Sequence, residues 1–118
     1  MEYAIENEYL IVTVTTWGAQ VKSVVRKFDD VEHMWQADKS VWGYHAPILF
    51  PHTGKVVDDL IETKGEVYQA KQHGFARLME HTLMRQTEDT IVMELRSSEE
   101  TLRIFPYAFR LVSTFTLD

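Results

Sequence analysis

The stretch QHGFARL, residues 72–78, places a histidine and an arginine on either side of a glycine. One interpretation is an ordinary turn: Gly74 supplies a positive φ, Phe75 joins the core, and His73 and Arg77 are surface groups. In the other, Gly74 lets the backbone pass close to a ligand. His73 and Arg77, each two residues from Phe75, then face one cleft of an extended chain. Histidine exchanges protons near neutral pH, and the planar guanidinium of arginine can donate two hydrogen bonds at once to vicinal hydroxyls or to an anion.

The other residues that could do chemistry form weaker patterns. His45 and His52 are seven apart and His73 and His81 eight apart, neither of which is the spacing of a metal site. The five glycines stand singly, and there is no serine-nucleophile elbow or phosphate loop. Adjacent acidic pairs such as Asp29-Asp30 are typical of solvated turns. We therefore expect no metal site, and the residues alone indicate only a polar loop region with aromatic side chains.

Composition restricts the class of partner. A net charge of −6 with scattered lysines and arginines argues against binding to nucleic acid or to an anionic membrane. The absence of cysteine excludes a disulfide scaffold and thiolate metal sites. The acidic opening MEYAIENEYL is not a secretory signal. We expect a single soluble domain over residues 1–118, located in the cytoplasm.

The elements that must position these residues are mostly strands. Alternation of apolar and polar residues predicts strands over Glu8–Thr15, Thr90–Arg96 and Tyr107–Leu117. Ala19–Phe28 fits both a helix and a strand, and we favour a strand because its neighbours are rich in β-branched residues. A turn is expected at Asp29-Asp30. The prediction is an all-β fold, a sandwich of antiparallel sheets.

The segments between the strands carry further expectations. Residues 37–66 are too apolar for an exposed loop and should pack over the end of a sheet. Ser97 and Glu100 fit a capping box that opens a short helix ended by Pro106. The chain stops at Asp118 just after its longest alternating strand. That strand is either a true sheet edge, available for pairing between copies, or lies within a larger domain.

Several motifs follow one another along the chain: WGA at 17–19, a tryptophan at 35, APILFPHTGKV at 46–56, GxxY at 65–68, QHGFAR at 72–77 and FPYAFRLVSTFTL at 105–117. In this order they resemble the galactose mutarotase-like family, in particular the aldose 1-epimerase branch with the LacX-type proteins and the hexose-6-phosphate mutarotases. The resemblance covers nearly the whole chain. It implies a β-sandwich of more than twice this length, of which residues 1–118 are an N-terminal portion. It also implies interconversion of the α and β anomers of an aldose without a cofactor.

The resemblance also implies roles for individual residues. His73 matches the first of two active-site histidines, which hydrogen-bonds the sugar near its ring oxygen. Lys55 stands where most relatives have an arginine that contacts sugar or phosphate. It keeps the positive charge but lacks the planar guanidinium that binds two oxygens at once. Arg77 matches an arginine close to the substrate in the phosphosugar branch. The second histidine, cast as the general acid, and the glutamate base lie beyond the equivalent of Asp118, so this chain alone is expected to be inactive.

Other residues of the loop region are secondary candidates. His52 is a candidate for substrate binding, and His45 lies in the same loop. Trp42, Tyr44 and Phe75 could offer a ring face to a sugar, although core packing is the favoured interpretation for each.

Two alternatives to an isomerase acting on a sugar or sugar phosphate stay open. One is a non-catalytic carbohydrate-binding or sensor domain on the same fold, and the other is a structural domain without a ligand. The sequence does not choose the sugar.

Overall fold

The computed structural model describes all 118 residues, and strands dominate it. The strands are β1 (Glu2–Glu6), β2 (Leu10–Thr15), β3 (Gln20–Arg26), β4 (Val31–Glu32), β5 (Leu60–Thr63), β6 (Glu66–Gln69), β7 (Thr82–Gln86), β8 (Thr90–Arg96) and β9 (Arg110–Thr116). One α-helix, α1 (Glu99–Leu102), and two 3₁₀ turns, Val57–Asp59 and Ala76–Leu78, complete the fold. No helix has the length and hydrophobicity that crossing a membrane would need.

Strands that follow one another in sequence pair to form three antiparallel sheets. The first has the order β1-β2-β3-β4, the second is the hairpin β5-β6, and the third has the order β7-β8-β9. The first and third sheets share the core. Their inward side chains alternate along each strand, as a half-buried strand requires. The buried members of this core are Ile5, Val12, Val14, Ala19, Ile91 and Met93.

The all-β, antiparallel fold class is confirmed, and most of the predicted strands are present. The strand over Thr90–Arg96 has its predicted bounds, and the ambiguous stretch Ala19–Phe28 does form a strand, β3. Residues 27–30 form the expected turn. The last strand starts at Arg110, three residues later than predicted. The hydrogen bonds between β8 and this strand end with the bond from the Ser97 amide to the Phe109 carbonyl, and residues 107 and 108 are not paired with β8.

Two local predictions were wrong. The capping box uses Ser98 and Thr101, not Ser97 and Glu100: the Ser98 hydroxyl accepts the Thr101 amide, and the Thr101 hydroxyl accepts the Ser98 amide. The helix ends at Leu102, well before Pro106. Residues 37–66 are not all loop, because they contain a 3₁₀ turn and strand β5. Ile48 from this region packs against the core, as the apolar composition indicated.

Candidate functional site

A reciprocal pair of hydrogen bonds between Gly54 and His73 joins two segments, residues 46–56 and residues 72–78, which are called the two motif segments below. The His73 amide donates to the Gly54 carbonyl at 2.9 Å, and the Gly54 amide donates to the ring Nδ1 of His73, also at 2.9 Å. An imidazole nitrogen that accepts a hydrogen bond carries no proton, so in the neutral ring the proton is on Nε2. Nε2 has no partner within the chain and is not among the buried unpaired atoms, so it is available to an incoming acceptor.

Gly74 lets the same two segments approach each other. It pairs with Phe50 in a parallel bridge, and the Phe50 carbonyl accepts the amides of Phe75 and Ala76 at 2.9 and 3.2 Å. A Cβ at Gly74, whose φ is +72°, would lie 2.1 Å from the Phe50 oxygen. The glycine is needed for close approach, but the neighbour is the chain's own backbone and not a ligand, which corrects the second interpretation of this stretch.

The aromatic cluster, defined as Phe50, Phe75, Phe105 and Phe109, lies beneath this contact. Its ring centroids are 5.0 to 6.2 Å apart, mostly in tilted or edge-on arrangements that aromatic pairs prefer. The cluster packs the two motif segments against the start of β9. Phe75 therefore has a packing role, as the favoured interpretation held.

Arg77 does not share an extended segment with His73. His73 has a left-handed backbone, with φ of 64°, and Arg77 lies within the Ala76–Leu78 turn. The idea that both face one cleft because of strand alternation was therefore wrong. The Arg77 guanidinium stacks over the ring of Tyr44 at 4.8 Å and donates to the Gln72 carbonyl at 3.2 Å, while its Nε is buried without a partner.

The other candidate binding residues lie on two sides of the Gly54–His73 contact. Lys55 follows Gly54 directly and is exposed, with no ion pair or hydrogen bond of its own. His52 lines a cavity of about 280 Å³ on the far side of Gly74, between the β5-β6 hairpin and the segment after α1. Both ring nitrogens of His52 are buried and unpaired. His73 does not line this cavity, although its neighbour Gly74 does.

His45 and Trp42 belong to a different part of the loop. Burial, and the nearby charge of Lys22, lower the pKa of His45, which lies against the first sheet. Its amide donates to the Gln20 side chain at 3.2 Å. Trp42 is 47% exposed, so the core-packing interpretation was wrong for it. Its ring lies 5.8 Å from that of Tyr44, which in turn contacts Arg77.

Three residues have roles in the site that the sequence did not predict. Gly54, at a φ of +86°, receives the His73 contact, and a lone glycine after a proline-containing turn was the available signal. Tyr44 positions the Arg77 guanidinium, and nothing in the local pattern marks it. His81 is 2% exposed and its ring lies against the Ala76 carbonyl. The only feature in the sequence that marks this role is a histidine directly before a strand, on the side that faces inward. No group of three or more His, Asp or Glu side chains is arranged to hold a metal ion.

Comparison with known proteins shows the family of this chain. A model of the aldose 1-epimerase family matches residues 1–118, the whole chain. The chain belongs to the aldose 1-epimerase family. Within that family it is 33% identical over 123 residues to the plasmid and the chromosomal forms of protein LacX of Lactococcus lactis subsp. lactis. The alignment covers 100% of this chain and 41% of each LacX protein.

Solved structures show the galactose mutarotase-like fold of this aldose 1-epimerase family member. The galactose mutarotase related enzyme from Lactobacillus acidophilus superposes with a TM-score of 0.99 at 37% identity, covering 100% of this chain and 39% of that one. A galactose mutarotase-like protein from Lactobacillus casei gives 0.96 at 33% identity, covering 100% and 40%. The chain therefore spans about two fifths of the length of these relatives.

Proposed function

We propose that these 118 residues supply part of the site of an aldose 1-epimerase, which interconverts the α and β anomers of a hexose or hexose phosphate. The observation that carries the proposal is the Gly54–His73 pair, which directs the neutral tautomer of His73 to present Nε2–H as a donor. A sugar ring oxygen is an acceptor of matching chemistry. Family membership and the galactose mutarotase-like fold support the reaction class.

The proposed chemistry is acid–base ring opening without a cofactor. A base removes the proton of the anomeric hydroxyl, the bond between C1 and the ring oxygen breaks, and an acid protonates that oxygen. The open aldehyde then turns about its bond to C2 and closes with the roles reversed. In this scheme His73 holds the sugar near the ring oxygen, and the general acid and the carboxylate base come from chain beyond residue 118. On that basis the isolated chain does not accelerate mutarotation.

Three further residues are proposed to bind substrate. Lys55 provides an exposed cation next to the Gly54–His73 contact, suited to a hydroxyl or a phosphate oxygen. Arg77 is stacked on Tyr44 and uses Nη2 in its bond to the Gln72 carbonyl, whereas its Nη1 has no partner and is not among the buried unpaired atoms, so it is free for a ligand. His52 is proposed to contact the same ligand only from the neighbouring cavity. The proposed setting is the cytoplasm, with a soluble sugar as the partner.

The proposal is tested by polarimetry on the full-length protein, with freshly dissolved α-D-glucose or α-D-galactose. His73→Ala and His73→Asn should each reduce the acceleration at least about tenfold, since positioned proton donors and acceptors contribute about 10²–10⁴-fold. Asparagine tolerates the left-handed backbone at this position, so it separates loss of the ring from backbone strain. His33→Ala is the matched control, since His33 is exposed and directly follows β4.

Each outcome of this assay decides between the candidates. Unchanged rates in both His73 variants would overturn the role of His73. Glucose binding by the full-length protein without any acceleration would favour the alternative, a non-catalytic carbohydrate-binding domain.

We also propose that two copies of the 118-residue chain pair through β9. This strand bonds to β8 on one side only, and its other side is a free edge. The bonds Leu117 to Asp89 and Ser97 to Phe109 show that odd-numbered residues of β9 face β8. The even-numbered amides therefore face outward, and without proline or glycine in the strand they form a template for a second β9.

A further inference from the structure

His81 is a buried histidine that connects two parts of the chain. It is 2% exposed and immediately precedes β7. Its backbone amide donates to the Thr16 carbonyl at 2.8 Å, at the end of β2. Its ring Nε2 lies 3.0 Å from the Ala76 carbonyl, within the QHGFARL stretch. One residue thus ties the first sheet to the turn that contains Arg77.

The hydrogen bond fixes the protonation state of the ring. A carbonyl oxygen only accepts, so Nε2 of His81 carries the proton and donates it to Ala76. The other nitrogen, Nδ1, is buried and has no partner. Adding a proton there would create a buried, unpaired N–H on a charged ring, which is strongly unfavourable. Burial accordingly lowers the pKa of His81 below its ordinary value of 6.5.

The turn held by this ring is tightly enclosed. Ala76 is 0% exposed, and its carbonyl accepts the Met79 amide at 3.3 Å as well as the His81 ring. Gly18 lies against the next residue, since a Cβ at Gly18 would be 2.6 Å from the Arg77 oxygen. A change in the His81 contact therefore moves the backbone from which the Arg77 side chain extends.

Few charged groups surround the ring. Glu80 is adjacent and half exposed; its carboxylate accepts the Thr16 hydroxyl and lies 3.7 Å from the amino group of Met1. On the turn itself, the Arg77 guanidinium is directed to the Gln72 carbonyl and the Tyr44 ring. None of these groups hydrogen-bonds the His81 ring, so only the Ala76 carbonyl selects its tautomer.

We propose that His81, in its neutral Nε2–H form, is a positioning residue that fixes the Ala76–Leu78 turn and thereby the ligand affinity contributed by Arg77. The affinity part of this inference rests on the proposed function, whereas the structural part concerns the turn alone. A charged ring would keep its Nε2–H donor but would leave a buried Nδ1–H without a partner, so it is stable only when the ring leaves this site. Protonation of His81 in acid therefore frees the turn, and sugar affinity falls as the pH decreases below the ordinary histidine range. D-glucose is a suitable probe because it does not itself titrate there.

Two variants separate the hydrogen bond from the titration. His81→Gln offers an amide N–H to the Ala76 carbonyl and cannot be protonated in this pH range. His81→Leu fills the site with an apolar side chain of similar size and offers no donor. The measurement is a D-glucose titration of each protein at pH 7.5 and at successively lower pH values, with the amide signals of the turn recorded by NMR at each pH before sugar is added.

The expected result is a graded one. The glucose affinity of wild type should fall, and its turn amides should shift, as the pH decreases into the range in which His81 becomes charged. His81→Leu should bind glucose about tenfold more weakly than wild type at pH 7.5, the scale of one lost buried hydrogen bond. His81→Gln should bind glucose within about twofold of wild type at pH 7.5, and its turn amides should lack the acid transition of wild type, since its amide replaces the donor and does not titrate.

Two sets of results would contradict the inference in different ways. Turn amides of wild type that do not shift as the pH falls, or the same transition of these amides in His81→Gln, would overturn the positioning role. If the turn amides respond as expected in wild type and in both variants but wild type does not bind glucose, the result would instead count against the proposed function and the affinity part, and leave the turn assignment supported.

Discussion

Replacing Gly74 with alanine tests whether the close approach of the two motif segments holds the site together. The new Cβ would lie 2.1 Å from the Phe50 oxygen, 2.4 Å from the Phe50 carbonyl carbon and 2.6 Å from Cδ of Pro51. Two of these atoms are backbone, so a side-chain rotation cannot relieve the clash. The Phe50 carbonyl would have to move away from the amides of Phe75 and Ala76, whose hydrogen bonds it now accepts.

The expected size of the effect follows from two contributions. A left-handed backbone costs an alanine about 1–2 kcal/mol, and forcing extra volume into a packed site costs about 1–3 kcal/mol. Gly74→Ala should therefore lower the free energy of unfolding by about 2–5 kcal/mol, near the upper end because backbone atoms are displaced. Gly65→Ala is the matched control: its φ is +74° and a Cβ there meets nothing within 4 Å. The control should lose only the backbone part, about 1–2 kcal/mol.

The assay is urea unfolding of wild type and both variants, with equal slopes required before the free energies are compared. The amide signal of Gly54 in NMR spectra reports whether the His73 contact survives. Equal destabilisation of Gly74→Ala and Gly65→Ala would refute the close-approach explanation. An unshifted Gly54 amide in Gly74→Ala would refute the link to His73.

Three further predictions concern the sheets. Ile91→Ala, at a fully buried core position, should lower the free energy of unfolding by about 2–5 kcal/mol in urea titrations, whereas a loss under about 1 kcal/mol would contradict its place in the core. Hydrogen bonds from Arg96 and then Arg110 lower the pKa of Glu94, so the unfolded state binds more protons in acid. The stability that Glu94 contributes should be complete above its ordinary value of 4.5 and lost as the pH falls below it, and Glu94→Gln should flatten this acid limb. Thr114→Pro should convert dimers to monomers in analytical ultracentrifugation without unfolding, because it removes only an outward amide, whereas Ser113→Pro should destabilise the fold; a wild-type monomer would contradict the pairing.

Much of the fold could be predicted because alternation marks half-buried strands. The pattern in residues 90–96 gave the correct strand because buried Ile91 and Met93 alternate with less buried or polar neighbours. Strand β1 was not predicted, because it has only one deeply buried position, Ile5, between acidic and exposed residues, and so shows no clear alternation. The β5-β6 hairpin was missed for a related reason: its strands are four residues long and largely exposed, so they bury no clear face.

The site was predictable only in part. The positive φ at Gly74 followed from the residue type, but the partner that requires it, Phe50, is distant in sequence. The capping box was placed one residue early because Ser97 and Ser98 are adjacent and either could begin the helix. The role of Arg77 depends on Tyr44, which comes from a loop with no periodicity, and long-range contacts of this kind leave no local signal.

The tautomer of His73 and its response to sugar test the central claim most directly. Long-range ¹H–¹⁵N NMR spectra of the 118-residue chain above neutral pH identify which ring nitrogen carries the proton, with His33 as an exposed reference. We predict a proton on Nε2, an unprotonated Nδ1 bonded to the Gly54 amide, and a shift of the His73 Nε2–H signal when D-glucose is added. A proton on Nδ1, or a His73 ring that responds to glucose no more than His33 does, would contradict the account.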